Sequence, residues 1–465
     1  MAPACGSAWL APAIQGLRRA IGIALLGVAV GLACWPLNTI DRWQDALVGR
    51  LPSFGGSGWF GIPLALALAP IGVLPLLLAL QAGVWRRSVG SGLPQLILAL
   101  ERPEERDQQL SAARTAARLA LWSLASLALL PIGREGPAAQ LGATIAHRLG
   151  RGRLSPDLLA AAAGAGLAGA FNTPLVGVIF VAEELTRRFQ AQLIWPCLLM
   201  AALAAELSDL GGQPLFALGL HTTPELELDQ LLWALPIGLA SGALGGVMAR
   251  LLRDTSRLVL PLAQRRPVGT GLVVGAALTL LALISGGFSC GDGETLLRLA
   301  LARAETLPID PPALLLAGPG NPEAWARWGL VVGVRLIGPV LSLAAGVPGG
   351  LIDPAFSLGG TFGGGLLVIL GGPAMLGVLM GMAATLAGAT QLPVLSLVFA
   401  IRVAGAQQLL PGLLLASLFG AVAGRLLMPV PIYRALEQLN SERTHEEPRD
   451  QTQQSGSSPN RVERC

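Results

Sequence analysis

Arg134 and Glu135 stand side by side in GREGPAAQLG, residues 133–142, directly after the apolar run that closes in LALLPIG. A helix opening at this Gly-Arg-Glu-Gly-Pro step would present unpaired N–H groups and roughly half a positive charge, which attracts anions. A carboxylate placed there is itself an anion and can occupy the site in place of a free one. Protonation neutralises it and removes that attraction. Pairing with Arg134 is not the obvious alternative, because adjacent residues on a helix diverge; a plain helix cap is the competing role for Glu135. Two further stretches share the form, GSGLPQ at 90–95 and GGLIDPAF at 349–356. In each, Gly permits close backbone approach and Pro at the first turn gives up no needed donor. If the three N-termini converge, their amides build a dehydrated anion site without any full positive charge, from which the ion can leave again.

Glu183 and Glu184 end the charge-free run 158–182, just ahead of Arg187 and Arg188. Carboxylates at the edge of a span can pass protons or can be ordinary interfacial charges. Tyr433, the single tyrosine, follows the last apolar run in PVPIYRALEQL, and ten tryptophans are available as interfacial anchors instead. Other chemistry is poorly supported. Cys5, Cys34, Cys197, Cys290 and Cys465 are scattered without a C-x-x-C pair, so neither a disulfide framework nor a metal site is indicated, and no cofactor motif is present. His147, His221 and His445 accompany no plausible nucleophile, and Ser91 has Val89 where an intramembrane serine protease motif would need glycine. The chain therefore reads as a protein that is not an enzyme.

The elements that must position these residues are membrane spans. Hydrophobic residues make up 53% of the chain and charged residues 13%, against roughly one quarter charged in a soluble domain. Long runs carry no Asp, Glu, Lys or Arg, among them 20–40, 51–85, 158–182, 231–249, 267–291 and 403–424. A span needs about 20 apolar residues, so most can cross a bilayer. The run 354–401 is too long for one helix and is interrupted by Gly-rich stretches, Pro373 and Pro393, which predicts broken or re-entrant helices. Irregular backbone at membrane depth survives only where protein or a watery cavity satisfies it; with 60 Gly and 34 Pro, a pore or binding cavity is implied. Arg18 and Arg19 precede the first span and Arg86 and Arg87 follow the second long run, which predicts cytoplasmic termini. The formal +4 charge is carried by Arg alone and spread through loops, which does not suggest nucleic acid. The polar tail, 441–465, is expected to be a disordered cytoplasmic segment.

The chain also matches itself. LAGAFNTP at 167–174 recurs as LAGATQLP at 386–393, an offset of 386 − 167 = 219, and GREGPAAQLGAT at 133–144 aligns with GLIDPAFSLGGT at 350–361, an offset of 350 − 133 = 217. Two matches at nearly one offset predict a duplicated unit, with repeats at about 20–208 and 230–428. Duplicated membrane folds place their substrate site at the repeat interface, where broken helices point their N-termini at an anion. Arg402 stands in the second repeat near where the first has Glu183, so only one half carries the acidic pair.

GSGLP, GREGP and GGLIDP in this order, together with NTPLVGVIFVAEE, resemble the CLC family of chloride channels and proton–chloride antiporters across roughly residues 20–440. The resemblance implies an all-α polytopic membrane protein with two inverted-topology repeats and many tilted and broken helices. It implies chloride and protons as the transported species, in a homodimer with one ion pathway per subunit, within a lipid bilayer that is a bacterial inner membrane. It makes Glu135 the gating glutamate, Glu184 the internal proton-transfer residue and Glu183 a hydrated proton entrance. Ser91 and Tyr433 would hold the anion through their hydroxyls, with Gly136, Leu351 and Ile352 lining its path. The chain departs from the family in carrying Ile352 where Phe is common and Asp353 where an uncharged residue is usual. Coupled exchange of chloride for protons is the leading expectation; a passive voltage- or pH-gated chloride channel shares every anion-site residue, and Glu184 is what separates the two.

Overall fold

The computed structural model describes residues 10–51, 62–210, 230–298, 300, 322–405 and 407–439. Residues 1–9 of the expected N-terminal segment 1–19 and the tail 441–465 lie outside them, as do Cys5, His221, His445 and Cys465.

The first half runs through α1 (Leu10–Arg50), α2 (Leu64–Ala82), α3 (Leu93–Glu101), α4 (Arg106–Gln109), α5 (Ala112–Leu127), α6 (Glu135–Leu149), α7 (Pro156–Phe171), α8 (Pro174–Phe180) and α9 (Ala191–Ser208). A π-helical turn, Val181–Leu185, closes α8. The second half contains α10 (Ala234–Arg265), α11 (Pro267–Ser285), α12 (Pro322–Ala344), α13 (Ile352–Ile369), α14 (Ala374–Thr390), α15 (Pro393–Ala404) and α16 (Leu410–Leu427), followed by α17 (432–439). Among the described residues, eight helical stretches are long and apolar enough to cross a membrane. The chain is a helical, multi-span membrane protein.

Several helices are too short to span. The 15 residues of α6 rise about 22 Å at ~1.5 Å each, against a hydrocarbon core of about 30 Å. The long charge-free run 354–401 breaks twice, as its composition predicts. Gly371 at φ 78° releases the chain from α13 and Pro373 precedes α14; Gln391 at φ 62° ends α14 and Pro393 opens α15. The first half breaks the same way, with Asn172 at φ 46° ending α7 and Pro174 opening α8. Both pairs stand 219 apart, since 391 − 172 = 219 and 393 − 174 = 219. The order α6 to α9 thus recurs as α13 to α16.

Small residues hold these helices together. Gly142 on α6 faces Ala162 and Gly166 on α7, and Gly164 on α7 faces Gly177 on α8. In the second half Gly363 on α13 faces Gly377 on α14, and Gly359 faces Gly381. A Cβ at any of these positions would run into facing backbone. Lipid supplies no hydrophobic force between helices, so such close van der Waals contact carries the association. The result is an interior of short buried helices: 78% of α13 is buried, against 33–44% of the most apolar stretch of each other span, and α14 is buried from Met375 to Thr390. The motif-bearing helices therefore sit inside, sheathed by the longer ones.

Candidate functional site

The centre of the molecule is built on a two-fold pairing of duplicated residues. Gly133 N donates to Gly350 O at 2.9 Å and Gly350 N donates to Gly133 O at 3.0 Å, an antiparallel bridge between positions 217 apart. Trp122 Nε1 donates a third bond, to Gly133 O at 3.1 Å. This clamp brings the start of α6 against the start of α13. Glu135, on the first turn of α6, is fully buried, and its Oε1 accepts the Ile352 N–H at 2.5 Å. The amides of Leu351 and of Glu135 itself also face the carboxylate, while Oε2 has no hydrogen-bond partner. The carboxylate thus occupies an anion position at the N-terminus of α13.

The third motif meets the second by backbone contact. A Cβ on Gly136 would collide with the Ser91 carbonyl oxygen and lie 2.9 Å from Ser91 Cβ. Gly90 and Gly92, at φ 82° and 96°, turn the chain so that α3 opens here with Pro94 in its first turn. Ser91, Glu135, Gly136, Leu351 and Tyr433 line one cavity of about 60 Å³, room for several waters or a small anion. Ile352 contributes its N–H to Glu135 and its side chain to the core. Tyr433 lies in the first turn of α17, buried, with its hydroxyl unpartnered beside the cavity. A buried donor left unsatisfied is costly and marks a place for an acceptor.

Two features of this site escape the sequence. One is the fourth helix N-terminus, that of α17, at which Pro431 is the only signal. The other is a buried cation behind the cavity, whose own lining carries none. Arg118 is buried on α5, where its Nε donates to Gly90 O at 3.0 Å and its guanidinium bonds Gln140 Oε1. A cation held by neutral acceptors directly behind the 89–91 turn adds attraction for an anion in the cavity. In the sequence it is one Arg of an amphipathic helix, indistinguishable from its neighbours.

Arg134 turns away from Glu135, as helix geometry requires. It is 2% exposed and bonds Asp41 Oδ2 at 2.6 Å and Asp292 Oδ2 at 2.9 Å, with Glu294 at 3.9 Å and Asp353 Oδ2 at 3.7 Å. Its guanidinium also stands 5.7 Å over the Phe171 ring. It ties α1, the 291–293 loop and the start of α13 into one ionic knot.

Glu183 and Glu184 share the π-helical turn after α8, a geometry frequent at functional sites. They face different surroundings. Glu183 is half-buried and caps a helix: its two oxygens accept Val394 N at 3.1 Å and Leu395 N at 2.8 Å at the start of α15. Glu184 is 1% exposed with Oε1 unpartnered. Arg434 and Arg187 are its charged neighbours, and Arg434 is itself paired with Glu101. Tyr433 lies within electrostatic range of both Glu135 and Glu184.

Broken helices whose N-termini meet at an internal, hydroxyl-lined cavity define a polytopic membrane protein organised around a buried polar site. A family model for voltage gated chloride channels matches residues 72–425, and the chain belongs to that family. It is 30% identical over 333 residues to the voltage-gated ClC-type chloride channel ClcB of Salmonella typhimurium, covering 67% of this chain and 74% of ClcB. It is 29% identical over 328 residues to the H(+)/Cl(-) exchange transporter ClcA of Vibrio cholerae, covering 66% of this chain and 65% of ClcA. Among solved structures, a slow cyanobacterial Cl-/H+ antiporter matches with a TM-score of 0.71 at 21% identity, over 90% of this chain and 97% of that one. A CLC-type fluoride/proton antiporter matches with a TM-score of 0.68 at 26% identity, over 89% and 96%. The relatives' names divide between channel and exchanger.

Proposed function

We propose that this protein exchanges chloride for protons across a membrane, with Glu135 as the protonatable gate. The observation that carries the reading is the Glu135 carboxylate seated on the Ile352 amide at the lip of the Ser91–Tyr433 cavity. Ionised, it competes with chloride for that amide. Protonated, it loses the charge-assisted bond and yields the place. Ser91 and Tyr433 hold the ion through their hydroxyls, the Gly136 and Leu351 backbone lines its path, and Arg118 supports the site electrostatically.

Proton transfer from the cytoplasmic side falls to Glu184, whose buried, unpartnered carboxylate oxygen is unlike an ordinary interfacial charge. Glu183 serves it by fixing the turn on which both stand. The family supports a homodimer with one pathway per subunit. The Arg18, Arg19, Arg86 and Arg87 pattern supports cytoplasmic termini, and the bacterial relatives support a bacterial inner membrane.

Passive chloride conduction is the second reading, favoured by the name of the ClcB relatives. Simultaneous recording of chloride and proton flux from purified protein in liposomes separates the two. An exchanger drives protons uphill when given only a chloride gradient; chloride flux with no uphill proton movement establishes the channel.

A further inference from the structure

We propose that Asp353 is a second proton-transfer residue of the gate, exchanging a proton directly with Glu135; this rests on the exchange reading above. Asp353 is the repeat counterpart of Gly136, since 136 + 217 = 353, and stands on the first turn of α13 next to the amide that Glu135 occupies. Its side chain is fully buried and neither oxygen has a hydrogen-bond partner. Glu135 Oε2 is unpartnered as well. Both Glu135 Oε2 and Asp353 Oδ2 press on the same side of Gly133, where an added Cβ would meet the first and lie 3.1 Å from the second. Two carboxyl groups thus flank one small buried space beside Gly133, each with an oxygen that has no hydrogen-bond partner.

The charges around the pair decide what it can hold. Arg134, Glu135, Asp292 and Glu294 face Asp353, with Tyr433 in electrostatic range. Arg134 already makes close ion pairs with Asp41 and Asp292 and stands 3.9 Å from Glu294, while its Nε is 3.7 Å from Asp353 Oδ2, beyond a hydrogen bond. Arg298 also pairs with Glu294 and Arg335 lies in electrostatic range of Asp292, yet of these three guanidinium groups Arg134 alone faces Asp353. With Glu135 ionised on the Ile352 amide, a second ionised carboxylate beside it would have no hydrogen-bond donor of its own, and like charges in one site do not both ionise. Asp353 and Glu135 hold one proton between them.

Handing that proton over is the step. The Asp353 O–H bond breaks and its electron pair stays on the Asp353 carboxylate. A bond forms to Glu135 Oε2, and the neutral acid releases the Ile352 amide. Asp353 regains a proton from water on the side where Asp292 and Glu294, with side chains 18% and 13% exposed, carry the cluster to the surface. The unusual aspartate thereby serves the gate, and its neutral form spares the anion path the repulsion a fixed charge would impose.

The test uses full-length protein in liposomes, with chloride and proton flux followed together between pH 4 and 8. Asp353→Asn keeps the shape of the neutral acid but cannot give up a proton. Proton-coupled turnover should fall at least about tenfold and its pH profile should change, with Asp353→Glu restoring both. The loss should vanish in a Glu135→Gln background, where no proton is handed over. Tryptophan fluorescence and chloride calorimetry check that Asp353→Asn protein is folded. Wild-type exchange with an unchanged rate, ratio and pH profile in Asp353→Asn would overturn the assignment and leave the exchange reading standing. An equal slowing in the Glu135→Gln background would make Asp353 structural and also overturn it. Wild-type chloride flux without protons would overturn the exchange reading and this one together.

Discussion

Glu135 Oε1 and Ile352 N lie 2.5 Å apart, though 217 residues separate them in the chain. That separation is the repeat offset, so the carboxylate from one half caps the equivalent helix start of the other. Gly133 and Gly350 lock the arrangement by exchanging backbone hydrogen bonds, and a Cβ on Gly350 would fall on the Glu135 carboxylate itself. The site thus exists only where the two halves meet.

Glu135→Gln should leave chloride flux present, uncoupled from protons and independent of pH. In the wild type, lowering pH protonates Glu135 and frees the amide, so chloride flux should rise as pH falls. A glutamine cannot change charge, and the pH–flux curve should flatten. Retained uphill proton movement in this variant removes Glu135 from the mechanism.

Tyr433→Phe and Ser91→Ala each delete one hydroxyl from the cavity wall. A hydrogen bond to a charged partner contributes about 1.5–3 kcal/mol, which corresponds to roughly 10- to 150-fold in chloride affinity at ~1.4 kcal/mol per decade. Isothermal titration with chloride reads this directly. Affinities unchanged in both variants would mean that the backbone amides and Arg118 hold the ion alone.

Glu184→Gln and Glu183→Gln should separate. Glu184→Gln should abolish proton flux while chloride flux persists, because the anion cavity and its plug are untouched. Glu183→Gln keeps one acceptor oxygen but removes the negative charge from the α15 N-terminus, at a cost of about 0.3–1 kcal/mol, and should appear first as a lower melting temperature with proton coupling retained. The reverse pattern, coupling lost only with Glu183→Gln, would exchange their roles.

Gly136→Ala inserts a methyl group against the Ser91 carbonyl. Overpacking of this kind costs about 1–3 kcal/mol, and here relief can come only from moving the 90–92 turn. Thermal stability and chloride affinity should both fall. A variant with wild-type affinity would show that the turn accommodates the displacement without disturbing Ser91.

Much of this was legible in the residues. Charge-free runs set the spans, because a bilayer core excludes charge. Gly371, Gly372 and Pro373 marked the first break in 354–401 and Pro393 the second, though the left-handed residue of the second break is Gln391. The three Gly- and Pro-bearing motifs announced helix N-termini, and the self-match at 217 and 219 anticipated which positions would pair. These are local rules, or repetitions of them, and a chain states them directly.

Tertiary structure decided the rest, because burial and partnership depend on what another part of the chain brings. Glu183 and Glu184 are neighbours of one type, yet one reaches α15 and becomes a cap while the other faces inward without a donor. That Arg134 diverges from Glu135 was legible, but its partners were not until α1 and the 291–293 loop supplied Asp41 and Asp292. Arg118 gained importance only when α5 packed behind the 89–91 turn. Asp353 was an anomaly of composition in the sequence; the fold made it the companion of Glu135 by pressing both against Gly133, where a single hydrogen in place of a side chain leaves the space they share.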